Sequence, residues 1–399
     1  MDNWPDLPAQ WWIHLRAVST HKPLAGVYVL DLSRFAPGGF CSLLLADLGA
    51  DVVKVEAPNT GDGLRGMYGS GFDAAHIALN RGKRSIALDL RHHDAPRVLE
   101  KLVAQSAIVI DSHRPGQLDR FGLGYGAMAQ ANPPVVWCSI TGFGDFGPNA
   151  QHPGHDLTYL GYGGLLSKLS DRDPTPPGTV VSIPLAATMA STGILAALHA
   201  AERTGQGTHL DVSMTDSAMW VRSEDIARAA NAPGPTWGTS ATRNVYRCAD
   251  GRHVTVTATE PKSWANLCDA LGDPTLAGQR VGGNDDSQLR ARLETLFSTK
   301  TSVEWLATPG LGGGVGPVND AADLVEDPHV TQRGSMISLD GTDLRVLANP
   351  IRFDRSTGDL SSNATNPPPG LGAHTKAVLR EAGFTDDQVR QLHESGVVA

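Results

Sequence analysis

The stretch that decides the fold is Gly26–Pro58, GVYVLDLSRFAPGGFCSLLLADLGADVVKVEAP. GVYVLDLS (26–33) is aliphatic and β-branched and predicts a strand. FAPGGFCSLLLADLGA (35–50) predicts a turn and then a helix, and DVVKVEAP (51–58) a second strand. Strand, helix and strand at this spacing make a βαβ unit, with parallel strands and a right-handed crossover. The turn Ala36-Pro37-Gly38-Gly39 opens the helix, where free backbone N–H groups suit a phosphate. It is not GxGxxG, so the dinucleotide fingerprint is not met.

Outward from that unit the pattern repeats. RGKRSIALDL (81–90) predicts a basic turn and a strand, 92–105 a helix, and SAIVIDS (106–112) a strand. HRPGQLDRFGLG (113–124) is a turn, followed by a helix to 131 and a strand from Val135 to Ile140. A helix is expected over Ser191–Arg203, stopped by Gly205 and Gly207, then a strand at Thr208–Ser213 and helix over 215–231. These readings divide the chain into a Trp-rich extension (1–22), a large α/β domain (23–231), a linker rich in Pro and Gly (232–243), a smaller α+β domain (244–345) and a tail (346–399). The tail carries two short helices, starting near Thr375 and Thr385, and is expected to return to the large domain. CADGRHVTVTAT (248–259) places Asp-Gly before an alternating strand, a hairpin signal.

With 399 residues the chain can bury a large core. Its net charge of −9 argues against nucleic acid and anionic membrane as partners. The four cysteines, Cys41, Cys138, Cys248 and Cys268, form neither CxxC pairs nor a metal-ligand spacing, so neither zinc nor a disulfide framework is expected. No signal peptide and no membrane span are expected, which reads as a cytoplasmic protein.

The chemistry concentrates after the strand ending at Ile140. Glycines 142, 144 and 147 and prolines 148 and 153 lead to Gly154-His155-Asp156, which lifts an imidazole and a carboxylate off a strand end. Histidine exchanges protons near neutral pH, so His155 is a candidate base. A His-Asp pair also starts helices, the Asp then serving as a cap.

The run GHDLTYLGYGGLLS (154–167) resembles the active-site segment of the α-methylacyl-CoA racemases, a branch of the family III CoA transferases (the carnitine and formyl-CoA transferase group). PLAGVYVLDLSRFAPGGF, LADLGADVVKVEAP, RGKRSIALDL, HRPGQLDRFGLG, ITGFGDFGP, GILAALHAAERTGQGTHLDVSM, CADGRHV, DPHVTQRG and GAHTKAVLREAGF carry the same resemblance, in the family's order. It implies an α/β fold, with a Rossmann-like large domain and a smaller α+β domain, and an interlocked homodimer. It also implies an acyl-CoA substrate, with coenzyme A as part of the thioester and no tightly bound cofactor. Leu88, Asp89, Leu90 and Arg91 would hold the adenosine end. Ser112, His113, Arg114 and Arg120 match a second contact region, and Gly154 to Tyr159 would meet the thioester. Arginine suits the phosphates of CoA, although Arg81, Lys83, Arg84 and Arg91 also read as a solvated basic turn. Ala57 stands where the family usually has a basic residue.

In the racemases the His of Gly-His-Asp is a catalytic base, and a Glu matching Glu260 hydrogen-bonds it. His155, Asp156 and Glu260 are therefore the candidate catalytic residues. Both branches also place an Asp about ten residues before the glycine matching Gly193; it is the nucleophile in transferases and the second base in racemases. Here GTVVSIPLAATMASTGIL (178–195) puts Ile183 at that position and offers no carboxylate. Three readings stay open. The chain is an α-proton enzyme with His155 as base, a CoA transferase whose carboxylate comes from elsewhere, or a CoA-ester binding protein.

Overall fold

In the computed structural model β1 (Tyr28–Asp31), α1 (Ala36–Asp47) and β2 (Asp51–Glu56) form the expected βαβ unit, the strands parallel from Tyr28–Asp51 to Asp31–Lys54. The structure describes residues 22–67, 73–170, 173–232, 234, 238, 240–278, 286–311, 314–353 and 365–399. The Trp-rich extension up to residue 21 and parts of 232–243 lie outside the described residues. The chain continues through α2 (Ala74–Asn80), β3 (Arg84–Ala87), α3 (Ala95–Val103), β4 (Ile108–Asp111), α4 (Tyr125–Met128), β5 (Val136–Thr141), α5 (Asp156–Tyr162), α6 (Ser182–Thr204), β6 (Thr208–Ser213) and α7 (Met214–Trp220). The six strands form one parallel sheet in the order β3-β2-β1-β4-β5-β6. This is the doubly wound order, and its switch point lies between β1 and β4.

Both faces of the sheet are buried, which is why its strands read as nearly continuous apolar runs. Successive side chains point to opposite faces. Val29, Val52, Ile108, Val136 and Cys138 pack with Cys41 and Leu45 of α1 and with Ala186, Ala190 and Ile194 of α6. Leu30, Val53, Val109 and Trp137 pack on the other face with Leu99 and Leu102 of α3. The same core takes in Val378 and Leu379 of α14 (Thr375–Glu381) and Val389 and Leu392 of α15 (Asp386–Glu394).

The helix expected over 215–231 is broken after Trp220, and a second departs further from its expected bounds. The sequence predicts a helix from Ser191, but α6 begins at Ser182. Pro184 falls in its first turn, where the missing N–H costs nothing. The start of α6 is held by a residue far back in the sequence, Asp156, which no local pattern announces. Its end follows expectation, with Gly205 left-handed at φ 70° and its N–H on the Ala201 carbonyl. By length and composition α6 is apolar enough to cross a membrane, and its buried residues pack on α1 and the sheet.

The chain separates into two units, one comprising the residues up to Ser223 together with Thr331–Ala399, the other Glu224–Val330. Between α7 and α14 run α8 (Ser223–Asn231), β7 (Arg243–Arg247), β8 (His253–Thr257), α9 (Pro261–Leu271), α10 (Ser287–Phe297), α11 (Ser302–Leu306), β9 (Val315–Pro317), α12 (Ala321–Glu326), α13 (Pro328–Gln332), β10 (Met336–Ser338) and β11 (Arg345–Leu347). In the second unit β7, β8 and β9 form an antiparallel sheet, and Gly251 at φ 80° turns the β7–β8 hairpin where Asp-Gly predicted it. Its core stacks Tyr246 on Phe297 and packs Phe297 at a tilt against Trp305. The architecture is the expected α/β fold, with a parallel sheet in the large unit and separate small antiparallel sheets.

Candidate active site

The loop after β5 is shaped by one ring. Tyr159 of α5 is buried and donates its hydroxyl to the Gly154 carbonyl at 2.6 Å. A Cβ at Gly142 or Gly154 would lie 2.5 or 2.6 Å from that ring, so both positions require glycine. Phe143 packs edge-on against Tyr159 and Tyr162. The contact expected of Tyr159 with a ligand is therefore indirect, through the backbone it fixes.

His155 and Asp156 part company in this corner. His155 is the N-cap residue of α5, extended and exposed. Asp156 is buried, and its carboxylate accepts the N–H groups of Val181 and Ile183, each at 3.0 Å, and the Ser182 hydroxyl at 2.8 Å. It thus caps the 23-residue α6 from across the chain. The sequence reading gives Asp156 a share in catalysis; the structure occupies both of its oxygens in holding α6. The same bonds bring Ile183 into the corner of His155. Among the described residues no carboxylate lies between Asp173 and Glu202.

The loop after β4 lies beside it. Asp111 accepts the His113 backbone N–H at 2.7 Å and lies 2.8 Å from its Nδ1, which leaves Nε2 facing away. Ser112 is tied to the β1 loop, its hydroxyl accepting the Arg34 N–H at 2.8 Å and donating to the Arg34 carbonyl at 3.1 Å. Arg114 and Arg120 are exposed. A cavity of about 280 Å³ opens here, lined by Asp111, His113, Arg114, Asp119, Tyr125, Ser139, Asp145 and His209 among others. Ser139 Oγ lies 2.9 Å from His209 Nε2, and Asp145 3.4 Å from the same nitrogen. Burial and the charge of Asp211 push Asp145 up to about 6. The sequence reading missed Ser139, Asp145 and His209. The strand from Val135 to Ile140, ITGFGDFGP and GTHLDVSM contained them, but only the pairing of β5 with β6 joins them.

The basic turn before β3 is neither solvated nor turned to a ligand. Arg81 is buried and forms a two-pronged ion pair with Asp47, at 2.5 and 2.8 Å. Lys83 is buried on Ser42 and Asn80, at 2.7 and 2.8 Å, and Arg84 bridges Asp51 and Glu381. Arg91 alone of the four is exposed. Leu88 has its side chain in the core and pairs with Val398, Asp89 accepts the Arg91 N–H at 2.9 Å, and Leu90 packs against the same core. Arg91 is thus the one charged side chain of this segment that faces outward. Glu260 belongs to the second unit, exposed at the N-cap of α9, with Pro261 behind it and no cap bond from its carboxylate.

Residues 24–375 match the model of CoA-transferase family III. The beta subunit of succinyl-CoA–L-malate CoA-transferase of Chloroflexus aurantiacus is 30% identical, over 95% of this chain and 99% of its own. The α-methylacyl-CoA racemase of Homo sapiens is also 30% identical, over 94% and 97%. A CAIB/BAIF family protein from Brucella suis, solved by crystallography, superimposes with a TM-score of 0.77 at 30% identity, covering 91% of this chain and all of its own. A parallel sheet in doubly wound order, a Gly-His-Asp corner and a match that spans nearly the whole chain make this protein a member of CoA-transferase family III.

Proposed function

We propose that the chain acts on an acyl-CoA thioester by removing the proton α to the carbonyl, with the His155 imidazole as base. The observation that carries this reading is the division of labour in the His155 corner. The imidazole is exposed, whereas the neighbouring carboxylate is consumed in capping α6, and Ile183 stands where the family resemblance places the second acid. A side chain that can take a proton is present there, and a carboxylate that could attack a thioester is not. In this reading Arg91, Arg114 and Arg120, with the backbone of Leu88–Leu90 and the loop Ser112–His113, hold the CoA moiety.

Incubation with a chiral 2-methylacyl-CoA in deuterated water tests it. With a base on one face only, the proton returns mostly from that face. Hydrogen exchange at the α-carbon is then faster than inversion, and His155→Ala abolishes it. Exchange that survives His155→Ala unchanged overturns the reading.

A second reading draws on Ile183 and on the relative that is one subunit of a transferase. The chain would pair with a different chain that supplies the nucleophilic carboxylate. Tyr162, Trp220 and Val221, exposed on or beside α5 and α7, offer an apolar surface for a partner. In that case the chain alone exchanges nothing.

A further inference from the structure

The turn between β1 and α1 contains a conformation that ordinary side chains avoid. Phe35 has φ 61° and ψ −158°, one of two non-glycine residues with positive φ among those described. Such strain persists only where the surroundings hold it. Here the Phe35 N–H is bonded to buried Asp62 at 3.1 Å, and its ring lies over Gly63, where a Cβ would come within 2.1 Å of it. One residue earlier, Arg34 is tied by both its N–H and its carbonyl to Ser112. The backbone of the turn is thus fixed from two sides, and both side chains stand exposed at the switch point of the sheet.

The Arg34 guanidinium lies over the Phe35 ring, 5.4 Å from its centroid. Among the described residues it has no carboxylate partner. A guanidinium held on an aromatic face keeps its N–H fork open for a planar anion. The position is continuous with the His155 corner. Ser112 joins Arg34 to the β4 loop, and at the other end of that loop the Pro115 carbonyl accepts the Gln151 amide at 3.0 Å, four residues before His155. From β1 across β4 to β5 is two strand spacings, about 10 Å. The loops that carry Arg34 and His155 leave strands this far apart, a separation of the order of a short acyl chain.

We infer that Arg34 is a substrate-specificity residue that takes the free carboxylate of a dicarboxylic acyl group. The inference rests on the CoA-thioester reading above and adds the class of acyl group. Calorimetric titration with free CoA, butyryl-CoA and succinyl-CoA tests it without needing turnover. The wild type binds succinyl-CoA more tightly than butyryl-CoA by roughly tenfold or more, the worth of one charge-assisted pair. Arg34→Met removes that preference, and Arg34→Lys keeps part of it. The Arg34 backbone is tied to Ser112 and, among the described residues, its exposed side chain rests only on the Phe35 ring, so circular dichroism of the variants should match the wild type. Equal binding of the two esters by the wild type overturns the inference and leaves the CoA reading standing. An equal loss for all three ligands in Arg34→Met also overturns it, because the guanidinium then meets the phosphates of CoA. If free CoA and both esters fail to bind, the CoA reading falls and this inference with it.

Discussion

The C-terminal ends of β1–β3 and those of β4–β6 belong to one sheet edge and treat charge in opposite ways. At the first, charges are buried and matched. Lys54 lies 3.3 Å from Asp31 and 3.4 Å from Asp62, and also donates to the Ser33 carbonyl. Burial alone would raise Asp31, but Lys54, Lys83 and the hydroxyls of Ser33 and Ser42 hold it below the usual carboxylate range. Burial likewise works against Glu56, which Arg65, the Ser85 hydroxyl and the Asp62 N–H bring down to about 2. Burial lowers Lys83 to about 8 despite Asp31, with the charge of Lys54 adding to the fall. At the second edge the charges stay partly open. Asp145 is pushed up by burial and by Asp211, His209 and Ser139 line a cavity, and Arg114 and His155 face outward. The matched network makes the strained first turn rigid. The unmatched groups remain able to bind or to exchange a proton.

Breaking the matched side should have the largest effect. Lys54→Met leaves buried Asp62 without its ammonium and Asp31 with Lys83 alone, and should cost about 3–5 kcal/mol of stability. Guanidinium denaturation measures this, and a loss below about 1 kcal/mol would mean that the network adds little. Asp156→Ala removes the cap of α6 and leaves two N–H groups and a hydroxyl to find other partners. It should cost about 2 kcal/mol, with Asp156→Asn in between. An Asp156→Ala protein of unchanged stability would return Asp156 to the chemistry.

The smallest effect belongs to the unmatched side. The folded pKa of Asp145, about 6, lies above the ordinary 3.8, so the folded state holds a proton that the unfolded state releases between these values. Stability falls as pH rises through that window and stays level above it. Asp145→Asn should flatten the slope, raise stability by about 1 kcal/mol at neutral pH once solvent screening of this half-buried group is allowed for, and change nothing below the ordinary carboxylate range. Melting temperature followed against pH reads this directly. A destabilised variant at neutral pH would show that the contact with His209 outweighs the repulsion from Asp211.

What the sequence determined by itself is the part written at short range. The βαβ unit from Gly26 to Pro58, the alternation that buries Val29 on one face and Leu30 on the other, the glycine stop of α6 and the Asp-Gly hairpin all follow from periodicity and backbone preference. These properties belong to a residue and its near neighbours, so they can be read in order along the chain. The Gly-His-Asp corner was legible too, as a family pattern. The work of Asp156, the burial of Arg81 and Lys83 and the pairing of Ser139 with His209 were not. Each depends on a partner that the fold brings from 25 to 70 residues away. A charged side chain looks the same in the sequence whether water or a buried counter-charge awaits it. Only the tertiary structure decides between them, because the desolvation that separates the two is a property of the packed molecule.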